Sequence, residues 1–228
     1  MIPRIIHQTT RRITPEEVRL ARRLRTMLPK WEYRLWNDED NEALVRERFP
    51  QFLPAFQSIE RGVIKADIAR YMYMSACGGF YFDTDYKLLR KIDDEMLSHS
   101  CVLPISRNSG ALFRLGNAVF GSEPNHSFWN DFLDHIFSHV QLNNVDESNI
   151  EKTTGPEGLT NFFLERRGRY EDIFLPAKEV FHPPLTYLGF SFRKQRSTVG
   201  AHLCWGSWRS KGPLGMIRAI AVRKLTGQ

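Results

Sequence analysis

The chain has 228 residues, 42% of them hydrophobic and 25% charged, proportions that fit a globular domain and exclude disordered, low-complexity and repeat architectures. Its net charge of +6 and pI of about 9.3 come without any recognisable nucleic-acid module, so nucleic acid is not an expected partner. No run of about 18 apolar residues occurs, and the stretch from Met1 to His7 is too short for a secretory signal, which predicts a cytoplasmic protein without a membrane span.

In chain order, Pro3 to His7 reads as a first strand, its apolar pair Ile5-Ile6 running into the polar cluster His7-Gln8-Thr9-Thr10. No glycine-rich loop follows, which argues against a dinucleotide fingerprint or a P-loop. Thr14-Pro15-Glu16-Glu17 carries the signals of a helix start: a capping threonine, a proline in the first turn and acids at the positive end of the dipole. That helix is predicted to reach Leu28 and stop before Pro29. Glu32 to Trp36 alternates polar and apolar as a second strand would, and Asn37-Asp38-Glu39-Asp40 begins the next connection. From Gly62 to Ala76 the apolar positions recur at helical spacing until Gly78-Gly79 ends them, with Asp67 and Arg70 three apart on one face. Phe80-Tyr81-Phe82 suits a buried parallel strand, and Asp83 and Asp85 fall where that strand should end.

Further on, a strand is expected near Ala118 to Phe120 and a helix from His126 to about Val140. Another helix opens at Thr154-Gly155-Pro156-Glu157, where Thr154 and Glu157 have the spacing of a capping box. Phe174-Leu175-Pro176 and Val180 to Pro184 read as late strands and turns. Cys77, Cys101 and Cys204 lie far apart with no C-x-x-C spacing, so reduced thiols are expected rather than a disulfide framework or a zinc site. The last twenty residues carry Arg209, Lys211, Arg218, Arg223 and Lys224 with no acid. With Ile220, Val222 and Leu225 they make either a basic amphipathic helix on an anionic membrane surface, at its inner face, or a solvated helix face. Alternating strands and helices predict an α/β sheet with helices on both sides; residues 1–208 would form one domain and 209–228 a basic tail.

The chemistry concentrates at Asp83-Thr84-Asp85. Ligands of open α/β sheets bind outside the carboxyl ends of strands, and two aspartates one residue apart can there hold a hard divalent cation and a sugar or ribose hydroxyl. Alone, such a D-x-D is more often a turn former. Here it follows a helix with an acid–base pair, a double glycine and an aromatic strand.

The stretch Ile64-Lys65-Ala66-Asp67-Ile68-Ala69-Arg70-Tyr71 followed by Gly78-Gly79-Phe80-Tyr81-Phe82-Asp83-Thr84-Asp85 closely resembles the D-x-D sugar-binding region of the family 32 glycosyltransferases, whose core recurs in the clostridial glucosylating toxins. Ile2 to Gln8, Pro29 to Trp36, Asn117 to Phe120, Thr154-Gly155-Pro156 and Ala201 to Trp208 are similar to that family's outer blocks. The resemblance implies a GT-A fold, a Rossmann-like nucleotide-sugar-binding domain with a mixed, mostly parallel sheet flanked by helices. It also implies a UDP- or GDP-sugar donor, a manganese or magnesium ion, and retention of anomeric configuration. By position, Asp83 would face the donor ribose or sugar, and Asp85 with His202 would bind the metal. Asp67, Arg70 and Asn117 would hold the donor sugar and phosphates, Ser207 and Trp208 would close over the diphosphate, and Gln8, Thr9 and Thr10 would border the nucleotide. The family places tryptophan where this chain has Thr10, which removes one base-stacking surface. Asp83, Asp85 and Arg70 are the residues expected to carry catalysis. The expected reaction is hexose transfer to a glycan or lipid-linked saccharide acceptor, with surface polysaccharide synthesis as the preferred setting.

Plainer readings stand beside these. Asp67 and Arg70 could be a surface ion pair, the Thr154 block a purely structural helix start, and the aromatic run from Trp205 to Trp208 core packing. His7, His99, His126, His135, His139 and His182 are read as ordinary polar residues. A rival chemistry is an aspartate-nucleophile phosphatase, against which Tyr86-Lys87 stands where a small or hydroxyl residue belongs. A rival of another kind is a non-catalytic basic module binding membrane or nucleic acid through Arg11 to Lys30 and the tail.

Overall fold

The computed structural model describes residues 1–109, 112–184 and 195–205. In chain order its elements are β1 (Ile5–Thr9), α1 (Pro15–Met27), β2 (Glu32–Trp36), α2 (Asp38–Arg48), α3 (Leu53–Ser58), α4 (Gly62–Cys77), β3 (Gly79–Phe82) and β4 (Tyr86–Leu88). Then come α5 (Asp94–Ser98), β5 (Cys101–Val102), β6 (Ile105–Ser109), β7 (Leu112–Leu115), β8 (Val119–Ser122), α6 (Ser127–His139), α7 (Ile150–Thr153), α8 (Pro156–Glu165), β9 (Ile173–Phe174), α9 (Lys178–Phe181) and β10 (Gly200–His202). Six strands form the main sheet in the order β2-β1-β3-β8-β5-β9. The pairs β1–β2, β1–β3 and β5–β9 are parallel, whereas β3–β8 and β5–β8 are antiparallel. The fold is thus the mixed, mostly parallel α/β sheet that the sequence predicts, with β3 parallel to its neighbour on one side only.

Local chemistry accounts for the elements that position the site. Thr14 caps α1 in a full capping box: its hydroxyl accepts from the Glu17 N–H, and the Glu17 side chain accepts from the Thr14 N–H. In α4 the residues from Ile68 to Ser75 are all buried, because this helix lies on β1, β3 and β8 and is covered in turn by α6. Gly78 and Gly79 close it at φ +63° and +101°, the left-handed region that only glycine enters without strain. A Cβ on Gly79 would stand 2.6 Å from the Ile5 carbonyl oxygen, so the pair lets the chain reverse directly from α4 into β3.

All four β3 residues are buried. With the two-residue period of a strand, Tyr81 joins the apolar core under α4, α6 and α8, while Phe80 and Phe82 join the core under α1, α5 and α9. The central strand is therefore held from both faces, and its carboxyl end is a rigid place for a ligand site.

Three expectations are corrected. The first strand runs Ile5–Thr9 rather than Pro3–His7, because its partner β2 continues the parallel pairing to Thr9 and Trp36. The connection after β2 is a helix, α2, capped by Asn37 and Asp40 in a second capping box. The predicted late strand or turn at Val180 overlaps a short helix, α9. The three cysteines are free in the structure. Among the described residues no helix is long and apolar enough to cross a membrane. The tail, residues 209–228, lies outside the described residues.

Candidate active site

The chain leaves β3 at Phe82 and turns at once. The Asp83 N–H donates to the Ala118 carbonyl at 2.8 Å and the Tyr86 N–H to the Asp83 carbonyl at 3.0 Å. This tight turn sends Thr84 and Asp85 out over the sheet edge and starts β4 in a new direction. Strand β10 pairs antiparallel with β4 so that His202 stands opposite Tyr86, which brings its imidazole beside the turn. The His202 Nε2 is 3.1 Å from Asp85 Oδ1 and 3.6 Å from Asp83 Oδ2. The backbone beyond β10 grips Asp85 as well, with the Leu203 N–H on its carbonyl at 3.0 Å and the Trp205 N–H on its Oδ2 at 2.8 Å.

Burial works against ionising Asp85, but the His202 charge, a hydrogen bond to His202 and the Trp205 N–H outweigh it and hold the carboxyl below its usual range. Burial likewise opposes charging His202, and Asp85 outweighs it, so its pKa stands well above the ordinary value. One ligand atom each from Asp83, Asp85 and His202 lie within 4.8 Å of one another. Two carboxylate oxygens and an imidazole nitrogen, drawn together and partly open to a cavity, fit a divalent cation.

Beneath the carboxylates lies Arg70. Its guanidinium donates to Asp83 Oδ1 at 2.8 Å, to the Asn117 carbonyl at 3.0 Å and to the Ala66 carbonyl at 3.2 Å. It also meets Asp67 Oδ1 at 3.3 Å and sits 4.6 Å over the Tyr81 ring. Tyr81 adds its hydroxyl to Asp83 Oδ1 at 2.7 Å. Asp83 is thereby fixed through one oxygen, and its other oxygen is left toward His202. Asp67 is buried, and burial pushes its carboxyl up to about 6 against the pull of Arg70. It accepts from the Asn117 amide at 3.2 Å and the Thr154 hydroxyl at 3.1 Å. The reading of Asp67 and Arg70 as a surface pair is therefore wrong, since both side chains are less than a tenth exposed. The predicted Thr154–Glu157 capping box does not form: Gly155 is the N-cap of α8, without a side-chain cap, because the Thr154 hydroxyl is turned to Asp67.

These groups open into a cavity of about 1040 Å³ lined by Thr9, Thr10, Asp67, Arg70, Asp83, Asp85, Asn117 and His202 among others. The structure thus gathers eight of the residues singled out in the sequence from five separate segments. Gln8 is not among the lining residues. It is buried, donates to the Asp83 carbonyl at 3.0 Å and accepts from the Tyr33 hydroxyl at 2.8 Å, so it braces the turn from below. Ser207 and Trp208 lie outside the described residues.

Sequence reasoning missed several lining residues. The Glu17 carboxylate, half of the α1 capping box, also accepts from the Thr84 hydroxyl at 2.7 Å and tethers the middle of the D-x-D. Arg107, Arg114, Glu151, Lys178 and His182 complete the far wall. Only the Thr14–Glu17 spacing gave any signal for one of them; the wall residues have no motif.

A mixed, mostly parallel α/β sheet with a carboxylate pair at the end of its central strand is of the GT-A glycosyltransferase fold. A solved glycosyltransferase of this kind, PaToxG, superposes with a TM-score of 0.55 over 72% of this chain and 69% of that one at 16% identity, a likeness of fold alone. Residues 14–103, the stretch that holds Asp67, Arg70, Asp83 and Asp85, match the family described as "glycosyltransferase sugar-binding region containing DXD motif". A mannosyl phosphorylinositol ceramide synthase of Saccharomyces cerevisiae is 30% identical over 158 residues, 68% of this chain and 41% of that protein. An inositol phosphoceramide mannosyltransferase of Schizosaccharomyces pombe is 28% identical over 190 residues, 82% of this chain and 52% of that protein. The chain spans about half the length, or less, of these relatives.

Proposed function

We propose that the chain transfers a hexose, retaining its anomeric configuration, from a nucleoside-diphosphate sugar to a hydroxyl of a phosphate-bearing glycolipid acceptor, with manganese or magnesium as cofactor. The observation that carries this reading is the convergence of Asp83, Asp85 and His202, braced by Arg70, at the mouth of a large cavity on the carboxyl edge of the sheet. A divalent cation held by these three residues would neutralise the charge growing on the departing diphosphate. Asp83, immobilised by Arg70 and Tyr81, would orient the donor sugar or ribose, and such fixed geometry lowers the barrier without a covalent step. The Asp67 carboxyl is engaged by Arg70, Asn117 and Thr154, so it is a poor nucleophile; attack by the acceptor from the face the diphosphate leaves is the favoured retaining route. The names of the fungal relatives move the proposed acceptor from a surface polysaccharide to an inositol phospholipid, and the donor sugar to mannose.

The test is thermal unfolding of wild type and Asp85→Asn with UDP-, GDP- and CMP-sugars, each with and without Mn²⁺, followed by turnover of the donor that binds. One nucleotide should raise the unfolding temperature only with the ion, as preferential binding to the folded state requires. Asp85→Asn should lose that rise and reduce transfer by about a thousandfold. Hydrolysis of a simple phosphate monoester, abolished by Asp83→Asn and independent of any nucleotide, would instead point to the aspartate-nucleophile phosphatase.

A further inference from the structure

The cavity runs along the carboxyl edge of the sheet. It begins at Thr9, Thr10 and Arg11 after β1, passes Asp83 and Asp85 after β3, and ends at Ser106, Arg107 and Lys178 beside β5 and β9. Most charges on its lining are matched. Arg70 faces Asp67 and Asp83, His202 faces Asp85, and Arg114 faces Glu151. The side chains of Arg107 and Lys178 have no acidic or hydrogen-bonding partner among the described residues, although both line the cavity.

Their placement is built into the fold. Strands β5 and β9 pair in parallel, Cys101 with Ile173 and Val102 with Phe174. The same register continues past them, with the Leu103 N–H on the Phe174 carbonyl at 3.0 Å and the Ile105 N–H on the Pro176 carbonyl at 3.3 Å. Arg107 lies two residues beyond Ile105 and Lys178 two beyond Pro176, so both leave the paired strands at the same end, and α9, which opens at Lys178, packs against β6. A regular strand would send Ser106 and Arg107 to opposite faces. Here an irregularity in the β6–β7 pairing falls between Ile105 and Arg107, and Ser106 turns its hydroxyl to the Arg114 and Leu115 carbonyls at 3.2 and 3.0 Å. The two consecutive residues therefore both line the cavity, the kind of re-aiming that bulges produce beside sites.

We propose that Arg107 and Lys178 form an anion subsite for the acceptor, binding a phosphoester on the molecule whose hydroxyl receives the sugar. An arginine fork beside a lysine point charge suits phosphate oxygens. On the proposed function the donor diphosphate belongs at the Asp83–Asp85–His202 cluster, and the family resemblance implies that its nucleoside borders Thr9 and Thr10 after β1, so an anion at the β5–β9 end is assigned to the other substrate. The subsite rests on the glycosyltransferase reading, and it assigns the acceptor's charge to two named residues on a wall that carries no motif.

The experiment is calorimetric titration of the full chain, loaded with Mn²⁺ and nucleoside diphosphate, with myo-inositol 1-phosphate, inorganic phosphate and myo-inositol. It is run on wild type, on Arg107→Gln/Lys178→Gln and on the charge-keeping Arg107→Lys/Lys178→Arg. The phosphorylated inositol should bind wild type about ten times more tightly than inositol, as a charge-assisted contact requires. The glutamine pair should erase that preference, the charge-keeping pair should retain most of it, and nucleotide affinity should stay unchanged in both. An equal affinity for inositol and its phosphate, or a preference that survives in the glutamine pair, overturns the proposal. So does a tenfold loss of nucleotide affinity in that pair, which would assign the two side chains to the donor diphosphate. Failure of wild type to bind any nucleotide with Mn²⁺ would strike the glycosyltransferase reading itself, and the titrations repeated without nucleotide would still decide whether the two cations hold phosphate. Sedimentation with phosphatidylinositol in phosphatidylcholine vesicles separates the sources. A difference between wild type and the glutamine pair there marks a lipid-borne phosphoester, and a difference confined to the soluble compounds marks a free one.

Discussion

Arg70 is the residue on which the site turns, and its chemistry cannot be supplied by another cation. Its planar guanidinium serves two carboxylates, Asp67 and Asp83, and two carbonyls, those of Ala66 and Asn117, at once. An ammonium on a flexible stem has three donors and no such fork. The sequence placed Arg70 and Asp67 on one face of a helix but could not tell a surface pair from a buried one, because i,i+3 spacing is the same in both. What decides it is Asp83 arriving from β3, thirteen residues on. Arg70→Lys is accordingly predicted to lower stability by about 3 kcal/mol, the usual cost of leaving a buried carboxylate poorly matched. It should also reduce transfer about a hundredfold through a mis-set Asp83. Denaturant unfolding and turnover check it together; a variant within 0.5 kcal/mol of wild type and fully active would mean that charge alone, rather than the fork, is what the site uses.

At the scale of elements, legibility followed the strength of the local signal. Helix α1, strand β2, helix α4 and strand β3 were readable because each carries a strong signal of its own: a capping box for α1, alternation for β2, helical spacing with a glycine stop for α4, and an apolar aromatic run for β3. Helix α2 was not, since it opens on three acids and buries only Asn41, Leu44 and Val45, too few apolar positions to set a period. The pairing irregularity before Arg107 and the short helix at Lys178 have no composition of their own and are imposed by their neighbours. The start of α8 shows local signal and tertiary contact in conflict: Thr154 and Glu157 have capping spacing, yet the Thr154 hydroxyl goes to Asp67 and its carbonyl accepts from Tyr71. Two substitutions separate these accounts. Thr154→Val, which strips a partner from a buried carboxylate, should cost about 2 kcal/mol, whereas Glu157→Ala should change stability by less than about 0.5 kcal/mol. Equal losses in unfolding experiments would restore the capping box.

Over the whole molecule, the site is a meeting of distant segments: Asp67 and Arg70 before β3, Asp83 and Asp85 after it, then Asn117, and His202 far beyond that. The sequence supplied these names through resemblance, and the sheet order supplied their distances. The same assembly buries a histidine that titrates with the fold. The His7 Nε2 lies 2.9 Å from the Gly78 carbonyl and its Nδ1 accepts from the Trp36 indole at 3.1 Å, so the two partners fix one neutral tautomer, and a second ring proton would point at another N–H. Burial lowers its pKa to about 4 from 6.5. A base whose folded pKa is depressed leaves stability intact above its unfolded value and removes it as pH falls through the folded one, because the unfolded chain takes the proton first. The His7 contribution should therefore be lost between pH 6.5 and 4, to the extent of about 3 kcal/mol. His182, lowered to about 3 chiefly by burial, acts in the same sense. Asp67, raised to about 6, acts in the opposite one, its favourable term being present below 3.8 and lost as pH rises through 6. A raw stability–pH curve mixes all three, so the informative quantity is the difference between wild type and His7→Gln. The variant loses the ring stacking on Trp36 and Tyr73 and should be the less stable protein at pH 7, by an amount that shrinks steadily as the pH is lowered to 4. A gap that stays constant across that range would mean that the folded chain takes up the His7 proton as readily as the unfolded one does.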